Sequence, residues 1–216
     1  MTHRISFPSI HGAAGKAFIA EVDAPSAALA VREVLEHCAR EGIALEYLQI
    51  AGIGSLKGAK LDGLKLSTCR LQVIDLCGAS LKGVRIEHCT LAKVVADSST
   101  HFDSAMLDDV TFEDCAINGA SFRGASLSGL RFEFTEARAL DLANASINGL
   151  RSVRSNLSGW KASMVHLTWV EAAGELVDSM DLTPNEKAAV RTLAVTGSRE
   201  AAEKYLTDLN NQTTTA

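Results

Sequence analysis

Residues 120–129 read Ala120-Ser121-Phe122-Arg123-Gly124-Ala125-Ser126-Leu127-Ser128-Gly129, one five-residue phrase used twice. A small residue opens the phrase, a large apolar residue stands third and glycine closes it. Working outward, the third position recurs every five residues as Leu56, Leu61, Leu66, Leu71, Leu76, Leu81, Ile86 and Leu91. It recurs again as Phe102, Leu107, Phe112, Ile117, Phe122, Leu127 and Phe132, then runs through Ala137, Leu142, Ile147 and Ser152 to Leu157. Two residues before each stand mostly small or apolar partners such as Ala59, Cys69, Ala79, Cys89, Ala105, Cys115 and Ala145. Between the two runs the phase slips by one residue, at Asp97-Ser98-Ser99-Thr100-His101.

A period of five suits neither a helix, which wants apolar residues three and four apart, nor a flat strand, which alternates at two. Each unit reads instead as a short extended piece that points two side chains inward, followed by a corner. Repeated, it makes a coil filled from those two positions. Glycine at the corner, as at Gly78 and Gly119, suits a turn with positive φ.

The units Ala59-Lys60-Leu61-Asp62-Gly63, Ala79-Ser80-Leu81-Lys82-Gly83, Ala120 to Gly124, Ala125 to Gly129 and Ala145-Ser146-Ile147-Asn148-Gly149 resemble the pentapeptide-repeat family, whose unit is Ala-Asp/Asn-Leu-x-x. The chain departs from it in carrying Lys, Ser or Asn at the second position and several Val, Cys and Leu at the first. The resemblance implies a mainly β fold, a right-handed quadrilateral β-helix with one pentapeptide per side. Residues twenty apart would then stack, Phe102 on Phe122, Phe112 on Phe132 and Cys69 on Cys89. About five coils at ~4.8 Å give a rod roughly 25 Å long.

The flanks read as caps, so the expected organisation is 1–52, an α/β N-terminal cap; 53–159, the repeat β-helix; and 160–216, an α-helical C-terminal cap with a disordered tail. Residues 1–15 read as irregular, Lys16 to Val22 as a strand, Asp23 as the cap of a helix ending at Gly42, and Leu45 to Ile50 as a second strand. Trp160 and Trp169 suit a plug over the last coil. Helices are expected from Val170 to Met180 and, after the capping box at Thr183-Pro184-Asn185-Glu186, on to Leu209. Leu182-Thr183-Pro184, Leu193-Ala194 and Gly197-Ser198 also resemble the opening of a helix-turn-helix domain. The helix that would enter the major groove has no counterpart, so no direct nucleic-acid contact is expected.

The 216 residues are 47% hydrophobic and 5% aromatic, with a net charge of −5. No apolar run is long enough to span a membrane and no signal peptide is evident, so a cytoplasmic protein is expected, with secretion lacking a cleavable signal as the other route. The five cysteines form no CxxC pair. Cys69, Cys89 and Cys115 read as buried reduced thiols, Cys77 as outward and Cys38 as a helix residue. Charge is uneven along the repeats: seven basic against three acidic residues from Gly54 to Val95, then three basic against nine acidic from Ala96 to Asp141.

Neither metal-ligand spacing among the six histidines nor a phosphate-binding glycine loop stands out, so no enzyme, cofactor or metal is expected. The favoured reading is a scaffold or effector that binds another protein, with a homodimer through the C-terminal helices as a further expectation. The alternative comes by resemblance to quinolone-resistance pentapeptide proteins, which implies a DNA mimic that binds DNA gyrase and protects against topoisomerase poisons. The partner-binding residues expected are Asp103, Asp108, Asp109, Glu113 and Asp114, on which a DNA mimic would depend, whereas a scaffold using its end caps would depend on the helices from Thr183 to Leu209.

Overall fold

A computed structural model describes residues 1–11, 15–161 and 166–171, with backbone alone at 52–54 and 166–171. The chain is mainly β, a parallel solenoid of the right-handed type with about five turns. Its first wall stacks β3 (Ala44–Glu46), β5 (Lys65–Ser67), β7 (Arg85–Glu87) and β9 (Met106–Asp108). The second stacks β4 (Gln49–Ser55), β6 (Arg70–Asp75), β8 (Thr90–Val95) and β10 (Thr111–Glu113). The long strands β11 (Ser126–Glu133) and β12 (Ser146–Val153) turn the corner and continue both walls. Isolated bridges make the other two walls: Val95, Ala116, Glu136 and Asn156 on the third; Lys60, Ser80, His101, Ser121, Asp141 and Lys161 on the fourth.

The large inward residues from Leu56 to Ile147 and Leu157 are buried, as are their small partners from Ala59 to Leu150, whereas Ser152 and Ser155 in the last coil are only partly buried. Phe102 stacks on Phe122 at 4.7 Å and 4°, and Phe112 on Phe132 at 5.4 Å and 21°. These spacings match the strand repeat of a parallel ladder, so the rings follow the backbone hydrogen bonds. Above Phe132 the wall residue is Ser152, which leaves room. Trp160 fills it from another wall, its ring 5.9 Å edge-on to Phe132 and its indole N–H donating to the Ala137 carbonyl at 2.6 Å.

Corners take positive φ two residues after the large inward residue. Glycine does this at Gly58 and Gly119, but Val73, Lys93, Asp109, Asp114, Phe134 and Arg154 also do so, at φ between 48° and 55°. A left-handed conformation costs a non-glycine residue roughly 1–2 kcal/mol, which the ladder on both sides offsets.

The parallel coils extend past 53–159. Among the described residues they run from Ala44 to β13 (His166–Glu171), which pairs with β12. Leu45 to Ile50 is therefore two strands broken by the corner at Tyr47, φ 58°. Val170 and Glu171 are strand, where a helix was expected. The rest of that helix, the helices from Thr183 to Leu209 and the tail lie outside the described residues. A second one-residue offset, alongside the expected one at Asp97 to His101, falls between Ala51 and Gly54.

At the N-terminal end, β1 (Thr2–Phe7) pairs antiparallel with β2 (Phe18–Asp23). The stretch read as irregular is thus a strand, and Ile5 and Phe7 bury at its period of two. Helix α1 (Ala27–Glu41), the only helix among the described residues, packs over this hairpin and the first coil through Ala30, Val31, Val34, Leu35, Cys38 and Ala39. Ser26, not Asp23, is its N-cap, with its hydroxyl accepting the Leu29 N–H at 3.3 Å. Gly42 ends it at φ 66°.

Candidate interaction surfaces

Because residues twenty or twenty-one apart stack, outward side chains form rows along each wall. Asp108 and Asp109 follow Leu107 on the first wall and its corner, and Glu113 and Asp114 follow Phe112 on the second wall and its corner. Asp103 follows Phe102 on the fourth wall. The five expected partner-binding residues are therefore spread over three walls.

Four of the five hold partners from neighbouring coils. Asp109 lies 3.4 Å from His88 Nδ1 on one side and 3.3 Å from Arg131 on the other. Glu113 reaches Arg70 at 3.3 Å and Asp114 faces Lys93 at 3.9 Å. Asp103 accepts the Ser121 hydroxyl and, at 3.3 Å, the Arg123 backbone N–H. Asp108 makes no ion pair among the described residues. Exposed pairs of this kind stabilise by only about 0–1 kcal/mol each, yet they place a cation or a donor against four of the five acids. The basic early coils supply Arg70, His88 and Lys93 to acids one or two coils on. The sequence gradient is thus a cross-coil pairing.

The slip is a built turn. Thr100, fully buried, occupies the small inward position; its hydroxyl donates to the Leu76 carbonyl at 3.0 Å and accepts the Gly78 N–H at 3.2 Å. Asp97 accepts the Ser99 hydroxyl at 2.7 Å, the Ser99 N–H at 3.0 Å and the Gly78 N–H at 3.1 Å. These donors, the Ser99 hydroxyl foremost, hold its carboxyl at about 2. All of these donors converge on one carboxylate oxygen, Oδ1.

Inward cysteines replace a backbone acceptor. Cys89 Sγ accepts the Cys69 N–H at 3.2 Å, and Cys115 Sγ accepts the Val94 N–H at 3.4 Å. One coil on, Thr135 Oγ1 accepts the Cys115 N–H at 3.2 Å, and then Ser155 Oγ accepts the Thr135 N–H at 3.0 Å. The thiols are thus acceptors in a hydrogen-bonded column as well as small hydrophobes. Burial pushes Cys115 up to about 11 and raises Cys38. The hydrogen bond with Cys69, followed by burial, raises Cys89. Half-buried Cys77 is also pushed up to about 11, first by desolvation and then by Asp75 and Asp97. No group of three or more His, Cys, Asp or Glu among the described residues could hold a metal ion.

The surface feature missed from the sequence is apolar. Phe134 is 53% exposed at a corner, next to half-exposed Val153, and the Arg154 guanidinium lies 5.7 Å from the centre of its ring. The available signal was position: a phenylalanine stands two after Phe132, where glycine is expected.

Residues 105–139 match the family Pentapeptide repeats in eight copies. With the coil geometry above, this shows that the chain contains pentapeptide repeats. No curated protein matches it by sequence. Among solved structures it is similar to full-length QnrB1, a plasmid-mediated fluoroquinolone resistance protein, at 14% identity over 66% of this chain and 97% of that one, with TM-score 0.32. It is also similar to a pentapeptide repeat protein from the Arabidopsis thaliana thylakoid lumen, at 16% identity, 71% and 87% coverage, and TM-score 0.31. A third is Rfr23 from the cyanobacterium Cyanothece 51142, at 14% identity, 54% and 89% coverage, and TM-score 0.26. At these values the likenesses carry no argument about function.

Proposed function

We propose that the chain is a non-enzymatic scaffold that binds another protein through the outer walls of its solenoid. The observation that carries this reading is the second wall and its corner. There Arg70, Glu113, Arg131 and Glu133 stand in fixed rows leading to exposed Phe134, with Val153 beside it and Arg154 against its ring. An aromatic and arginine centre inside a charged rim is the composition of a protein-binding patch. A photo-crosslinking residue at Phe134 should give a saturable adduct with one partner in cells. The same group at Lys82, on the fourth wall, should not. Equal labelling from both positions would contradict the reading.

The second reading is a DNA mimic acting on gyrase. It is favoured by the acidic run from Asp103 to Asp114. A mimic needs its carboxylates open to the partner, and here four of five already face donors or cations. Gyrase supercoiling, with and without a fluoroquinolone, is expected to be unchanged by the purified protein. Inhibition or rescue, lost on Asp108→Asn, Asp109→Asn, Glu113→Gln and Asp114→Asn, would reverse the order of the two readings. No helix among the described residues is long and apolar enough to cross a membrane. On this proposal the protein acts in the cytoplasm without cofactor or nucleic acid. A homodimer, if formed, uses the C-terminal segment.

A further inference from the structure

Among the described residues, the two-stranded sheet at the N-terminal end is open on one side. Strand β1 pairs with β2, and the chain after β1 bridges back to the first coil through Ser9 and Leu48. Nothing among the described residues pairs with the outer edge of β2. That edge borders a groove of about 580 Å³ between β2 and α1. Its floor is Phe18, Ala20 and Val22 from the strand and Val34 and Cys38 from the helix. The strand's three floor residues pack on the core yet stay only partly buried. An added strand would finish their burial while hydrogen-bonding to the free edge.

The rim selects the occupant. Glu36 is committed to Arg32 at 2.8 Å and to the Lys60 N–H at 2.8 Å. Arg40 is committed to Glu41 at 3.3 Å and His37 at 3.1 Å. Glu21 on the strand and Glu33 on the helix make no ion pair among the described residues, so the unspent charge is negative. A second copy fits poorly, because antiparallel β2 against β2 lays Glu21 and Asp23 among like charges. Residues 172–216 also fit poorly, since they carry seven acidic and four basic side chains.

We infer that β2 and α1 form a β-strand-addition site for an extended segment of a partner protein in which apolar residues alternate with Lys or Arg. Apolar side chains enter the groove over Val34 and Cys38, and the cations, on the other face of the added strand, meet Glu21, while Glu33 adds to the negative field at the rim. This site stands apart from the solenoid walls, so its test is independent of theirs.

The probe is an acetylated octapeptide alternating Lys and Val, titrated into the full chain by fluorescence anisotropy. A block peptide of the same composition serves as control. The alternating peptide should bind, and the block peptide should bind at least about tenfold more weakly. Backbone N-methylation of either the Lys set or the Val set should abolish binding while methylation of the other set leaves it, because successive N–H groups point to opposite edges. The exposed double variant Glu21→Lys, Glu33→Lys should lose about tenfold for this peptide and gain for a Glu–Val peptide. Amide exchange at residues 18–23 should slow on binding. Absence of binding, equal binding of the block peptide, or indifference to both methylation sets would overturn the proposal. Protection, already present in the free chain, of the β2 amides that point away from β1 would also overturn it: concentration-dependent protection would identify a second copy, and concentration-independent protection the chain's own tail.

Discussion

The early and late coils solve one packing problem in two ways. From Leu56 to Leu91 the interior is filled by branched aliphatics, and these walls enclose an apolar void of about 20 Å³ lined by Leu61, Leu71, Leu81 and Leu91 among others. From Phe102 to Phe132 the same inward positions carry aromatic rings stacked at the coil spacing. A branched side chain cannot lie flat on its copy one coil away, whereas a ring can. The repeat fixes where side chains point; ring or branch decides how completely the tube is filled.

The strongest way to break the comparison is to put a charge inside. Leu81→Asp should unfold the early coils, a loss beyond about 4 kcal/mol, because the carboxylate would have no partner there. Lys82→Asp, one residue on and pointing outward, should change a chemical melt by no more than about 0.5 kcal/mol. Equal tolerance at the two positions would defeat the inside-outside assignment. Next, Phe122→Ala should cost about 3–5 kcal/mol by opening the stack above Phe102. Leu81→Phe sharpens the contrast: it extends that stack downward into the void. It should lie within about 1 kcal/mol of the parent, where overpacking a filled core costs about 1–3.

Smaller effects come from the corners. Val73 is 57% exposed at φ 55°, so Val73→Gly should raise stability by up to about 1 kcal/mol in urea melts. The same change within a strand would lower it. Asp97 has a folded pKa lowered to about 2 by its hydrogen bonds, so its contribution is full above the ordinary carboxylate range near 4 and fades as pH falls toward 2. The stability gap between the parent and Asp97→Asn should therefore narrow over that window. A gap independent of pH would remove the carboxylate from the account of the slip.

What the sequence showed was whatever the period carries: the coil, the inward set, both phenylalanine stacks, the Cys69–Cys89 column and the slip. What it hid depends on register between coils. His88, Asp109 and Arg131 are twenty-one and twenty-two residues apart, so their pairing appears only once the walls are stacked. Tyr47 masked the first corner because glycine was the expected marker. Strand β1 was hidden by reading Pro8 and the residues after it as one irregular segment, although Ile5 and Phe7 already alternate. Trp160 reads as a plug from composition. Its place opposite Ser152, filling the space that serine leaves, needs the geometry.

The measurement that bears most directly on the central claim is native-state amide exchange along the second wall. Backbone amides in β10 and β11, above the stacked rings, should exchange more slowly than those in β6 and β8, beside the aliphatic void, and Phe122→Ala should erase the difference. Uniform protection along the wall, or faster exchange in β10 and β11, would contradict the account.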